Sequence, residues 1–199
     1  LHRTLDATLT VMFGTPERAR AALRRIDRRH GTVAGRTTGG QPYRARDPQL
    51  LLWVHTTLVL TSLRLYELVV GPLAPAERER YWLETWRVAI ALGIPEHLLP
   101  ATLADLEAFE RRALLTEVIP DDTSRAVAQA VLRPLPLPGP VYAPLDALTA
   151  GLLPPGVRQA FGLHWRRRDH LLFRAVVVTL RLARRIAPPF LTVVPHARR

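Results

Sequence analysis

The sequence predicts an all-α protein, a single-domain multi-helix bundle. Three observations carry this. Apolar residues recur three and four apart through most of the 199 residues, the spacing of one helix face. Cap-plus-proline signals stand at Thr15-Pro16-Glu17 and Asp47-Pro48. No alternation of strand and helix patterns appears, and no internal repeat. Seven or eight helices are expected.

In chain order, the opening LHRTLDATLTVMFG reads as the middle of a helix and begins without Met, so the chain is expected to be a fragment or a processed form. The helix opened at Thr15 is expected to run to about Ala34, with Ala19, Ala22, Leu23, Ile26, His30 and Val33 as its stripe. GRTTGGQPYRAR is a loop. The helix opened at Asp47 runs to Gly71-Pro72 and is apolar on most sides, which makes it central. Leu51, Leu52, Leu58, Val59 and Ser62 flank its His55. A third helix covers about 75–92, with Tyr81, Trp82 and Trp86 packed inward and Gly93-Ile94-Pro95 as its stop. Helices at about 101–118 and 122–132 follow. RPLPLPGPVYAP, at 133–144, is too rich in proline for a helix and is read as a rigid connector. A short piece near 144–161 precedes a last helix at about 167–187, whose stripe is Leu171, Leu172, Ala175, Val178, Leu182 and Ile186.

Composition excludes several chemistries. Without cysteine there are no disulfides, thiolate nucleophiles or Cys-type metal sites. The two serines, Ser62 and Ser124, lie in no nucleophile elbow, and a chain without lysine has no phosphate-binding P-loop. The Glu-x-x-His pairs of di-iron bundles and the H-E-x-x-H zinc motif are also absent. No apolar run of transmembrane length and no secretory signal is read, so a cytoplasmic protein is expected. The formal charge of +11 raises nucleic acid or an acidic membrane as partners. Every basic residue is arginine, however, in short clusters beside apolar stripes. That favours solvated helix faces, and no nucleic acid is expected. Peripheral membrane contact and homo-oligomerisation are kept open.

What remains is a pair of histidines, His30 and His55, on apolar helix faces. A buried imidazole whose second nitrogen stays uncommitted can ligate haem iron. The competing reading is a hydrogen-bonded core residue, and periodicity does not separate the two.

Longer strings add to this. H-G-T-V-A-G at 30–35, D-P-Q-L-L-L-W-V-H-T-T-L-V at 47–59, A-E-R-E-R-Y-W-x-E at 76–84, and P-P-G-V-R-Q-A-F-G-L-H-W followed by L-F-R-A stand in an order that resembles the MpaB-type oxygenase family. Its relatives include the rubber-cleaving latex clearing protein. The resemblance implies a globin-like core, haem b held through histidine, and cleavage by O₂ of a C=C bond in a hydrophobic, isoprenoid-like substrate. It makes His55 the iron ligand and places His30 across the haem or hydrogen-bonded near it. Arg25 and Arg29 become propionate or distal-pocket arginines, and Thr56 and Thr57 groups able to orient a ligand. Thr56 stands where the family pattern has Ala, and a hydroxyl bonded back to its own helix is the competing reading. The N-terminal segment of the family, with its His-Pro motif, is expected to be missing. A non-catalytic helical module for a hydrophobic ligand or an anionic surface is the alternative function.

Overall fold

Thr15 takes extended backbone before Pro16, and its hydroxyl accepts the Arg18 N–H at 3.5 Å. Asp47 holds the Gln49 N–H at 2.9 Å. Both caps therefore start helices where the sequence places them. The computed structural model describes residues 2–37, 39–116 and 120–186. Over these the chain forms α1 (His2–Phe13), α2 (Pro16–His30), β1 (Ala34–Arg36), β2 (Pro42–Arg44), α3 (Pro48–Val69), α4 (Pro75–Ala91), α5 (Leu103–Thr116), α6 (Asp122–Leu132), α7 (Gly139–Leu152), α8 (Pro155–Ala160) and α9 (Arg167–Ile186). One turn of 3₁₀ helix spans Glu96–Leu98. The all-α expectation holds, and no described helix is long and apolar enough to cross a membrane.

The chain resolves into two compact units. Among the described residues, one contains those up to Leu60 together with Ala74–Glu110; the other contains Thr61–Leu73 and those from Arg111 to Ile186. In the first, α1 packs on α2, and Ala7 and Ala22 are buried. The α2 helix stops at His30, four residues before the expected end, because Gly31 and the β-branched Thr32 and Val33 are poor helix formers. Val33 is exposed. The loop expected after α2 is partly a hairpin, with Gly35 opposite Tyr43. The Tyr43 ring lies where a side chain on Gly35 would stand.

Carboxylates tie α4 to α5. Glu79 receives the Leu103 N–H at 3.1 Å, and Arg78 pairs with Glu107 at 3.0 Å. Thr102 and Asp105 cap α5 reciprocally. Gly93, at φ 101°, closes α4 as expected: the Gly93 and Ile94 N–H groups reach the Ile90 and Ala89 carbonyls, and Ile94 is buried beneath.

In the second unit α7 packs against α9. Two expectations are corrected here. The connector's last six residues, Gly139 to Pro144, are helical. Pro140 occupies the first turn of α7, where its missing N–H has no intrahelical partner to lose. The Tyr142 hydroxyl then pins the remaining connector, donating to the Leu135 carbonyl at 2.7 Å and accepting its N–H at 3.1 Å. The last helix is correctly placed, but of its expected inward stripe only Leu172 is half-buried. Val177 is buried with Phe173 and Val176 half-buried, whereas Leu171, Ala175, Val178, Leu182 and Ile186 are exposed. This helix has two apolar faces, and the one that packs is the one carrying Phe173.

Phe173 fits because Gly151 of α7 has no side chain: a Cβ there would collide with the aromatic ring. Gly151→Ala should therefore destabilise the protein by about 1–3 kcal/mol, as overpacked cores do. Denaturant unfolding would show a lower midpoint, and an unchanged midpoint would refute the packing described.

Candidate functional site

His55 lies about a third of the way along α3, on the edge of its buried face. Leu52, Thr56, Val59, Leu60 and Leu63 are buried on that face, while Leu50, Val54 and Leu58 form an exposed apolar strip. Leu51 and Leu58, four residues before and three after His55, lie on its own side of the helix. The imidazole is thus walled by core on one side and bordered by uncovered aliphatic surface on the other.

His55 as a residue is 5% exposed. Its neighbour is Trp82 of α4, with ring centroids 6.1 Å apart and planes tilted by 47°. Trp82 is fully buried, and its indole N–H donates to the Pro100 carbonyl at 3.1 Å, which fixes its orientation. Trp86, one turn on, meets Trp82 edge-on at 6.1 Å. Two buried polar atoms in this cluster have no hydrogen-bond partner: His55 Nε2 and Trp86 Nε1. Buried polar groups in folded proteins are overwhelmingly paired, so these two unpaired atoms single out the aromatic cluster as the candidate site.

Desolvation pushes the His55 pKa from the usual 6.5 down to about 4. The ring is therefore neutral at pH 7, and a lone pair is available. Among the described residues no group of three or more His, Asp or Glu could hold a metal ion. A side-chain cage is thus not the fit. A single neutral imidazole with an uncommitted nitrogen is the kind of donor that would hold a haem iron. Nε2 is sealed as the structure stands, so admitting a macrocycle requires the side chains over it to move.

The other sequence-nominated residues are placed as follows. Thr56 is fully buried, and its hydroxyl donates to the Leu52 carbonyl at 2.8 Å; Thr57 does the same to Val54. Both therefore follow the back-bonding reading. His30 is the half-buried last residue of α2. Arg29 is exposed beside it, and Arg25 pairs with Asp6 at 3.9 Å. Among the described residues neither a hydrogen bond nor a ring contact joins His30, Arg25 or Arg29 to His55. The sequence reading gave Trp82 and Trp86 only a packing role. Their four-residue spacing on α4 was the available signal that both would share one face.

The low His55 pKa has a consequence for stability. The unfolded chain binds a proton near pH 6.5 and the folded chain only near 4, so protonation favours unfolding between those values. Stability should be complete above pH 6.5 and fall by up to about 3 kcal/mol as pH drops to 4. In His55→Leu this part of the acid sensitivity should vanish in pH-dependent denaturant titrations; persistence of the full slope would refute the assignment.

The "ER-bound oxygenase mpaB/B'/Rubber oxygenase, catalytic domain" family matches residues 1–182. The uncharacterized protein Rv2237 of Mycobacterium tuberculosis is 28% identical over 191 residues, covering 94% of this chain and 74% of that protein. The uncharacterized protein Mb2261 of Mycobacterium bovis matches with the same figures. No solved structure matches the chain. With the family's pattern running from its first residue into α9, this chain belongs to the mpaB and rubber oxygenase catalytic-domain family.

Proposed function

We propose that the chain is a haem-b-dependent oxygenase that uses O₂ to cleave a C=C bond in a hydrophobic, isoprenoid-like substrate. The observation that carries this is the buried, unpartnered Nε2 of His55. The family supports an oxygenase; haem and the substrate class are the finer part of the proposal.

His55 is the residue that would hold the iron, and haem, when bound, would supply the oxygen chemistry. The protein's own contribution can be stated from its residues. Desolvation keeps His55 unprotonated, so its lone pair is not lost to a proton near neutrality. Trp82, oriented by the Pro100 carbonyl, backs the imidazole and limits its rotation. Thr56 keeps its hydroxyl on the Leu52 carbonyl, so no polar group of its own opens towards the site. Leu50, Val54 and Leu58 offer the aliphatic surface that an apolar substrate or a porphyrin edge would cover. Arg25, once released from Asp6, and Arg29 would be the cations for the propionates, and His30 would be a further polar group on the same helix. The overall reaction balances without a reductant: one alkene and one O₂ give two carbonyl fragments, each keeping one oxygen atom.

Haemin added to the purified chain should produce a Soret band and quench the fluorescence of Trp82 and Trp86. In His55→Ala the band should be lost while far-UV circular dichroism is retained. A folded protein that shows neither band nor quenching, yet retains an apolar ligand, would replace this reading with that of a haem-free binding module.

A further inference from the structure

The α9 helix leaves one apolar face uncovered. Leu171, Ala175, Val178, Leu182 and Ile186 are all exposed, with Ile186 at 83% and Leu171 at 64%. At about 100° per residue these five fall within a stripe roughly 80° wide and about 22 Å long. It lies away from the face that packs on α7 through Phe173 and Val177. An uncovered stripe of this length on a long helix marks an interaction surface.

The charges beside the stripe indicate the partner. Arg167, Arg174 and Arg185 lie roughly 40–60° to one side of Leu171, and Arg168 lies to the other. The one acidic residue of the helix, Asp169, is half-buried, accepting the Arg166 N–H at 2.8 Å and pairing with Arg168 at 3.4 Å. Arg181 is already committed, donating to the Leu68 carbonyl at 2.7 Å. The exposed face is thus aliphatic along its middle and strongly cationic along the edge that carries Arg167, Arg174 and Arg185, with Arg168, paired to Asp169, on the other. A second copy of this chain would bring like-charged edges together. Residues 187–199 contain no acid to offset them. Lipid phosphates match the edges, because guanidinium groups bind phosphate strongly, and acyl chains match the middle.

We propose that α9 docks in the plane of a membrane surface carrying anionic phospholipid, its stripe sunk among the upper acyl chains and its edge arginines on the headgroups. The proposal is independent of haem.

Vesicle co-sedimentation of the full chain tests this. Binding is expected to vesicles of phosphatidylcholine with phosphatidylglycerol, weakening as salt rises, and not to phosphatidylcholine alone. Arg174→Gln with Arg185→Gln should weaken binding on the order of 25-fold, about fivefold per arginine. Val178→Ser with Leu182→Ser should weaken it as well, with unchanged circular dichroism because both side chains are exposed. Arg24→Gln with Arg28→Gln, on α2, should leave binding nearly unchanged. No binding at low salt would overturn the proposal. So would an equal loss in the α2 variant, which would mean diffuse charge attraction. Light scattering that shows a dimer lost in Val178→Ser with Leu182→Ser would assign the stripe to a second copy instead.

Discussion

A neutral imidazole without a partner, held against Trp82 in a dry interior, is the constraint that organises the first unit. Burying a polar atom without a hydrogen bond is unfavourable, so the fold around His55 must be stable enough to tolerate it. The polar ties between α4 and α5 provide that stability. Glu79 on the Leu103 N–H, Arg78 on Glu107 and Trp82 on the Pro100 carbonyl all fix the helix that carries the two tryptophans. The first and last of these satisfy a helix end and a loop carbonyl, the second joins two side chains, and none reaches the His55 nitrogen. The backbone groups beside the cluster are satisfied, and the Nε2 of His55 and the Nε1 of Trp86 are not.

The signals that sequence displayed well are those that act locally. Thr15-Pro16, Asp47-Pro48 and Gly93 fix helix ends through bonds to residues two to five positions away, so their effect can be read without knowing the fold. His55 was legible for a similar reason, because its immediate helical neighbours already define an apolar surface. What sequence concealed depended on distant residues. The inward face of α9 is chosen by Gly151, more than twenty residues earlier, which makes room for Phe173. The helix through Pro140 and Pro144 forms because Tyr142, Ala147 and Ala150 are buried on one side of it. Propensity argued against that helix, and tertiary packing overrode it.

Trp86 shows the same limit within the site. Its place on a common face with Trp82 follows from spacing, but its unpaired indole N–H does not. Whether a buried donor finds an acceptor depends on backbone carbonyls brought in by other elements: Trp82 meets the one at Pro100, and Trp86 meets none.

The arginine content also takes on a structural meaning. Basic residues near a helix C-terminus favour its unpaired carbonyls and its partial negative charge. Several arginines do this from elsewhere in the chain. Arg46 donates to the Asp27 carbonyl in the last turn of α2, and Arg181 to Leu68 at the end of α3. Arg158 reaches Ala150 near the end of α7, and Arg125 places both Nε and Nη2 on Ala160, the last residue of α8. The guanidinium fork suits this task, since it can hold one carbonyl with two donors while its stem lies on apolar surface. Such caps are dispersed wherever helices end, so they need form no continuous cationic track for a nucleic-acid backbone. A high positive charge in this chain is therefore in part a consequence of how its helices are terminated. The arginines beside the exposed stripe of α9 are different: Arg174 and Arg185 make no such cap, and their charge remains directed outward.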